Sequence, residues 1–227
     1  MKDLIKILVV DDDKDILTIA KYSLEIQKGV IVQCVSSGEE ALRVVPDFQP
    51  DLILLDLRMP IMDGEATFEA LRALPSMGKI PVILLTATIE KDKLKYFLDK
   101  GVSGAITKPF DPEALFSQAK DIFTLFQIQQ EYKEGIPQKL SELSALIKAV
   151  QRQATVETLT ALRFSIHKFA GNAGTFGYME VSIFCKQFEI EIVKKMEALP
   201  QSPPDPKWLA ELDLNFKKIE AEFFKVL

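Results

Sequence analysis

The chain has 227 residues, 48% of them hydrophobic and 27% charged, an ordinary soluble composition long enough for one large or two small domains. Its formal net charge is −5, and the excess is uneven: 15 Lys/Arg against 20 Asp/Glu in residues 1–128, 13 against 13 in residues 129–227. Neither part has the basic surplus that nucleic acid or an anionic membrane would demand of its partner.

The opening residues lead into a short apolar run that ends at Asp11, too short for a signal peptide or a membrane span. No other stretch is long enough to cross a bilayer. Cys34 and Cys185 lie far apart in sequence within apolar patterns, which predicts buried free thiols and a reducing, cytoplasmic setting.

Taken in order, the first half alternates short apolar runs with amphipathic stretches. Strands are predicted at Ile5–Val10, Val30–Val35, Leu52–Leu57, Ile80–Leu85 and Val102–Thr107, most of them β-branched and apolar on both faces. Helices are predicted over 14–27, 37–46, 64–73, 90–100 and 111–128. Five βα units in this rhythm make an α/β doubly wound five-stranded parallel sheet, whose sites gather at the carboxyl ends of the strands.

Beyond about residue 110 the strand signals stop. Gly135-Ile136-Pro137 breaks the helical pattern, and Pro137 suits the first position of a new helix. Leu140, Leu143, Leu146, Ile147 and Val150 form a helical stripe over 137–153. Thr155 is a fitting N-cap for the stretch that carries His167. A further helix fits 178–198, Pro200 to Pro204 form a loop, and Asp205-Pro206 opens a last helix over 206–226. The predicted division is a domain over 1–128, a linker over 129–136 and an all-α four-helix bundle over 137–227.

The strand ends carry the chemistry. Asp11, Asp12 and Asp13 follow the first strand, Asp56 ends the third, Thr86 the fourth and Lys108 the fifth. Three converging carboxylates repel one another and suit a hard divalent cation with oxygen ligands, Mg²⁺ or Mn²⁺. Lys108 adds a fixed positive charge and Thr86 a hydroxyl donor. Such a set can transfer a phosphoryl group onto Asp56, which attacks in line while the metal neutralises the incoming charge and Lys108 and Thr86 hold the phosphoryl oxygens. Asp13, at a helix start, reads as a cap instead.

Val9-Val10-Asp11-Asp12, Asp56-Leu57-Arg58-Met59-Pro60 with Met62-Asp63-Gly64, Leu85-Thr86-Ala87 and Thr107-Lys108-Pro109-Phe110 resemble the receiver domains of two-component response regulators, over roughly residues 4–126. The resemblance implies a flavodoxin-like sheet and Asp56 as phosphoacceptor. It implies a metal site of Asp11, Asp12 and Asp56 with the Arg58 backbone carbonyl, and a Lys108–Pro109 bond that is often cis. One position departs from the pattern. Many receivers carry an aromatic switch residue three positions before the lysine, where this chain has Ala105. That puts the aromatic relay in doubt but leaves the phosphate chemistry untouched.

His167 is the only histidine in the chain. At about 100° per residue, Gly171, Gly174, Arg163 and Thr160 fall within about 40° of it. Leu162, Phe169, Ala173 and Phe176 fall on the opposite side, so the histidine points away from the apolar stripe. The glycines permit close approach by another backbone, and Arg163 can pair with a phosphoryl oxygen. A free imidazole is largely neutral at pH 7 and is a good nucleophile toward an acyl phosphate.

His167-Lys168-Phe169-Ala170-Gly171, with Gly174 and Gly177, resembles the histidine-containing phosphotransfer (HPt) domain, over roughly residues 130–227. Many members carry lysine three residues after the histidine. Here that residue is Ala170 and the basic residue is Lys168, which points about 100° away. The two resemblances together imply a cytoplasmic phosphorelay intermediate. Phosphate enters from a histidine kinase or other phosphodonor and passes between His167 and a receiver aspartate, a downstream receiver being the onward partner. With no Gly-rich ATP loop, the chain is expected not to be a kinase or other enzyme, beyond handling its own phosphorylation. An alternative is a phosphorylation-controlled interaction module whose bundle binds a partner without using His167. A phosphatase is disfavoured because Arg58 stands where an acid would follow the nucleophile by two. DNA binding is disfavoured for want of a basic helix.

A linker of eight residues spans at most about 26 Å extended and about 12 Å as a helix, so transfer is expected mainly between molecules. Trp208, Phe216, Phe223 and Phe224 read as core packing, Lys91, Lys93, Lys95 and Asp92 as a solvated face. Met59 and Met62 either pack or gate the Asp56 loop.

Overall fold

The computed structural model describes residues 3, 6–75, 80–87, 91–199 and 201–225. The predicted strand start at Ile5, helix start at Glu90, loop residue Pro200 and helix end at Val226 lie outside these. The chain folds as two compact units, 1–128 and 129–227.

The first unit is a five-stranded parallel sheet: β1 (Lys6–Val10), β2 (Ile31–Val35), β3 (Leu52–Asp56), β4 (Val82–Thr86) and β5 (Gly104–Thr107). The order is β2-β1-β3-β4-β5, so the chain reverses direction across the sheet between β1 and β3, where doubly wound folds bind their ligands. Every residue of β3 and β4 is buried, because helices cover both faces and the strands need no polar alternation. One apolar cluster lies on each face, around Leu8, Leu55 and Phe68 on one and Val9, Leu54 and Phe123 on the other.

Around the sheet lie α1 (Lys14–Glu25), α2 (Gly38–Phe48), α3 (Gly64–Arg72) and α4 (Lys91–Asp99). Asp13 caps α1, its carboxylate accepting from the N–H groups of Asp15 and Ile16. The helix predicted to end at Pro46 runs on to Phe48. Pro46 forfeits one backbone hydrogen bond, yet Ala41 and Val45 stay buried beneath the turn, and Gln49 in the left-handed region ends it.

The largest correction concerns α5, a single helix over Leu115–Arg152. Residues 129–136, predicted to be a linker, are helical, and Gly135-Ile136-Pro137 does not break them. Tyr132, Ile136, Leu140 and Leu143 form one buried stripe through the expected break, so tertiary burial outweighs the local cost of glycine and proline. The helix also starts later than residue 111, after a turn at 112–114.

The second unit completes a four-helix bundle with α6 (Val156–Thr175), α7 (Met179–Ala198) and α8 (Pro206–Phe224). Thr155 and Thr158 form a reciprocal capping box at α6. Asp205 caps α8 with Pro206 at its start. Trp208 and Phe223 are buried in the core, Phe216 packs against it, and Phe224 is exposed. Cys185 is buried and Cys34 half-buried, both free. Among the described residues no helix is long and apolar enough to cross a membrane.

Candidate functional site

In the first unit, register sets the geometry. Parallel pairing aligns Val10 with Leu55, Asp56 with Leu85 and Thr86 with Thr107. The residues that end or directly follow these strands therefore meet on one edge. Carboxylate oxygens of Asp11, Asp12 and Asp56 lie within 4.8 Å of one another, Asp11 and Asp56 buried and Asp12 exposed. Lys108 Nζ lies 2.5 Å from Asp11 Oδ2 and 3.0 Å from Asp56 Oδ1. The Lys108 backbone N–H donates to the Thr86 carbonyl at 2.8 Å, fixing the lysine beside β4. The Lys108–Pro109 bond is cis.

Burial pushes the Asp11 carboxyl up, against the pull of Lys108 and the Asp13 N–H. Burial pulls the Lys108 ammonium down, but hydrogen bonds to Asp11 and Asp56 outweigh it and the net direction is up. The lysine is therefore held charged among carboxylates whose mutual repulsion one cation only partly relieves. Three oxygen donors at this spacing, one exposed to solvent, fit a hard divalent ion.

The loop after Asp56 is held tight. Gly64 donates its N–H to the Leu57 carbonyl at 3.1 Å, and a Cβ at Gly64 would fall against the Asp56 carbonyl oxygen. Met59 is buried and Met62 packs against Gly38, so both methionines pack. Ile61 is 97% exposed with φ +70°, an uncommon conformation for a β-branched residue. Beside Asp56 a cavity of about 240 Å³ is lined by Arg58, Thr86, Lys93 and Phe97 among others. Ala105 is half-buried and packs against the apolar cluster that includes Phe97.

In the second unit the His167 side chain is 70% exposed, while Leu159, Leu162, Ile166, Phe169 and Ala173 of the same helix are buried. Glu189 of α7 faces it. Its Oε2 is 3.1 Å from His167 Nδ1, and its Oε1 accepts from Arg163 Nε at 3.3 Å. Thr160, Arg163, Phe164, His167 and Glu189 line a cleft of about 270 Å³. Lys168 turns to the Phe164 ring, 4.4 Å from its centroid.

The two glycines part company. A Cβ at Gly171 would meet open space, whereas one at Gly174 would lie 3.0 Å from Ser182 Oγ. Gly174 therefore lets α6 and α7 close together, and of the two glycines only Gly171 leaves open surface beside the histidine. Sequence reasoning does not find Glu189. Nothing in Phe188-Glu189-Ile190-Glu191 marks one acid over the other, and only the pairing of α6 with α7 selects it.

Two family models match. One, the response regulator receiver domain, covers residues 7–120, and the other, the Hpt domain, covers residues 127–222. The alkaline phosphatase synthesis transcriptional regulatory protein PhoP of Bacillus subtilis is 38% identical over 123 residues, covering 54% of this chain and 50% of that protein. The probable transcriptional regulator ycf29 of Porphyra purpurea is 38% identical over 117 residues, covering 51% and 55%. The chain thus spans about half the length of the curated relatives it matches. Among solved structures, the chemotaxis response regulator CheY4 of Vibrio cholerae superposes with a TM-score of 0.50 at 28% identity, over 53% of this chain and 99% of that one. All three likenesses reach only about half of this chain, and the second half is accounted for by the Hpt match. With the aspartate cluster in the first unit and the exposed histidine in the second, the chain belongs to the response regulator receiver family and carries an Hpt domain behind its receiver.

Proposed function

We propose that the chain is a phosphorelay intermediate, taking a phosphoryl group on Asp56 and carrying one on His167 for exchange with a receiver aspartate. The observation that carries this reading is the pairing, in one chain, of Lys108 bridging Asp11 and Asp56 with an exposed histidine backed by a carboxylate.

Asp11, Asp12 and Asp56, with the Arg58 backbone carbonyl, would hold Mg²⁺ or Mn²⁺. When bound, the ion supplies neutralisation of charge on the phosphoryl oxygens. Lys108 holds Asp56 in place and offers its ammonium to a phosphoryl oxygen, and Thr86 offers its hydroxyl to another. The Asp56 carboxylate attacks phosphorus, and the phosphodonor's leaving group departs. A histidine kinase or other phosphodonor supplies the group, and a downstream receiver takes it on. Arg163 and the open surface at Gly171 would form the docking face around His167, with Gly174 holding that face's helix against α7. In this reading transfer runs mainly between molecules.

The test is incubation with acetyl phosphate and Mg²⁺, then with a separate receiver, for the wild type, Asp56→Ala and His167→Gln. Base-labile label is expected to vanish in Asp56→Ala, and base-stable label in His167→Gln. Label confined to Asp56 and never reaching His167 or the second receiver would sink the relay.

A further inference from the structure

A groove of about 480 Å³ runs along the outside of the bundle between α5 and α8. Gln151, near the end of α5, donates to the Leu209 carbonyl at 3.0 Å and to Asp213 at 3.1 Å, near the start of α8, so the two helices run antiparallel. Counted from that contact, at about 1.5 Å per residue on each helix, Pro137 and Phe224 flank one end of the groove. Ser144 and Glu220 flank its middle, and Lys148 and Phe216 the other end. We infer that two copies of this chain pair through this groove, about a two-fold axis at its middle. The inference goes beyond the relay reading and does not rest on it.

Charge and shape both select a second copy as the occupant. The groove is lined by one cation and one anion, Lys148 and Glu220, and among the described residues neither has an ion-pair partner. A groove built for an acidic or a basic partner would carry an excess of one sign, whereas a balanced pair of free charges is its own complement. The surface also supplies both a knob and a hole. Phe224 protrudes at one end, 58% exposed, and the small side chains of Ser144 and Ala145 leave room toward the other. A two-fold axis lays each end of the groove on the opposite end of the other copy, as an isologous interface requires. Phe224 of each protomer then enters beside Ala145 of its partner, within reach of the Lys148 ammonium. Lys148 of each, about one turn from the axis, closes on Glu220 of the other. The contact between His167 and Glu189 joins α6 and α7, the other two helices of the bundle, so pairing leaves both histidines open for exchange. A contact centred on one groove falls at the small end of specific interfaces, so the dimer is weak and concentration-dependent.

The experiment is sedimentation velocity on the full unphosphorylated chain from about 5 to about 500 µM, the range in which a small interface associates. It compares the wild type, Lys148→Glu, Glu220→Lys, Phe224→Ser and an equimolar mixture of the two charge variants. All three positions are exposed or half-buried, and far-ultraviolet circular dichroism checks that each variant is folded. The wild type is expected to pass from monomer to dimer as concentration rises. Each charge variant sets like charges together twice and should weaken association at least about tenfold, and Phe224→Ser should weaken it about tenfold by losing the knob. The mixture should return to within about threefold of the wild type, because each variant supplies the charge the other lacks. A wild type that stays monomeric throughout, whether or not a foreign protein fills the groove, overturns the inference. Dimers equally strong in all variants place the contact elsewhere and overturn it too, as does a mixture that associates no better than either variant alone.

Discussion

Burial raises the Asp11 carboxyl even though Lys108 and the Asp13 N–H both pull it down. A carboxyl raised on folding favours the fold in its protonated form. Its contribution is full below the unfolded value of about 3.9 and is lost as pH rises through the raised folded value. The metal-free protein should therefore lose stability across that window, and a divalent cation should return it by mass action. Asp11→Asn removes the penalised charge. Its metal-free melting temperature at pH 7 is expected to equal or exceed that of the wild type, with the rise on adding Mg²⁺ abolished, as scanning calorimetry in both conditions would show. A melting temperature well below wild type would mean that the ion pair with Lys108 outweighs burial. The glycines beside His167 offer a second contrast. Gly171→Ala meets open space and should gain about 0.5–1 kcal/mol from helix propensity. Gly174→Ala should gain nothing or lose stability, because Ser182 Oγ is committed to the Ala170 carbonyl at 2.7 Å and cannot easily give way. Urea melts followed by circular dichroism would separate the two.

Helices α3 and α4 are tied at the surface. Tyr96 donates its hydroxyl to Glu65 at 2.6 Å, and Lys100 reaches both Glu65 and Glu69. The Tyr96 hydroxyl first, then Lys100, holds the Glu65 carboxyl below the usual carboxylate range. A depressed carboxyl stabilises above its unfolded value and loses that contribution as pH falls through the folded one. Tyr96→Phe should bring Glu65 back toward the ordinary range, which an NMR titration of its side-chain carboxyl would read. A titration unchanged by the substitution would mean that Lys100 alone sets it. Along α5 the relevant variant is Pro137→Ala. It restores an N–H for the Lys133 carbonyl on an exposed face, and a gain of about 1–2 kcal/mol is expected in the same urea melts. These helices also mark where the sequence was readable. Strands, order of elements and caps such as Thr155 and Asp205 follow from local pattern. The continuity of α5 does not, because Gly135 and Pro137 speak for a break and only the buried stripe they sit within overrules them.

Across the whole molecule the two sites differ in how much of each could be read in advance. Asp11, Asp12, Asp56, Thr86 and Lys108 come from four separate segments. Each sits at or beside a strand's carboxyl end, so the topology alone predicts their meeting. Glu189 depends on how two helices pair, which no local signal encodes. The separation into two units also bears on how phosphate travels. If exchange runs between molecules, a mixture of Asp56→Ala and His167→Gln chains given acetyl phosphate and Mg²⁺ should place base-stable label on the Asp56→Ala chain, at a rate that rises with concentration. Its absence from the mixture, with label on the wild type, would place the transfer within one chain. Trp208 bears on how such experiments can be watched. It is the chain's one indole and it is buried in the bundle, so the tryptophan fluorescence of the intact protein is a private optical channel of the Hpt domain. Red-edge excitation would follow events in the bundle core while the receiver stays dark, with no label attached.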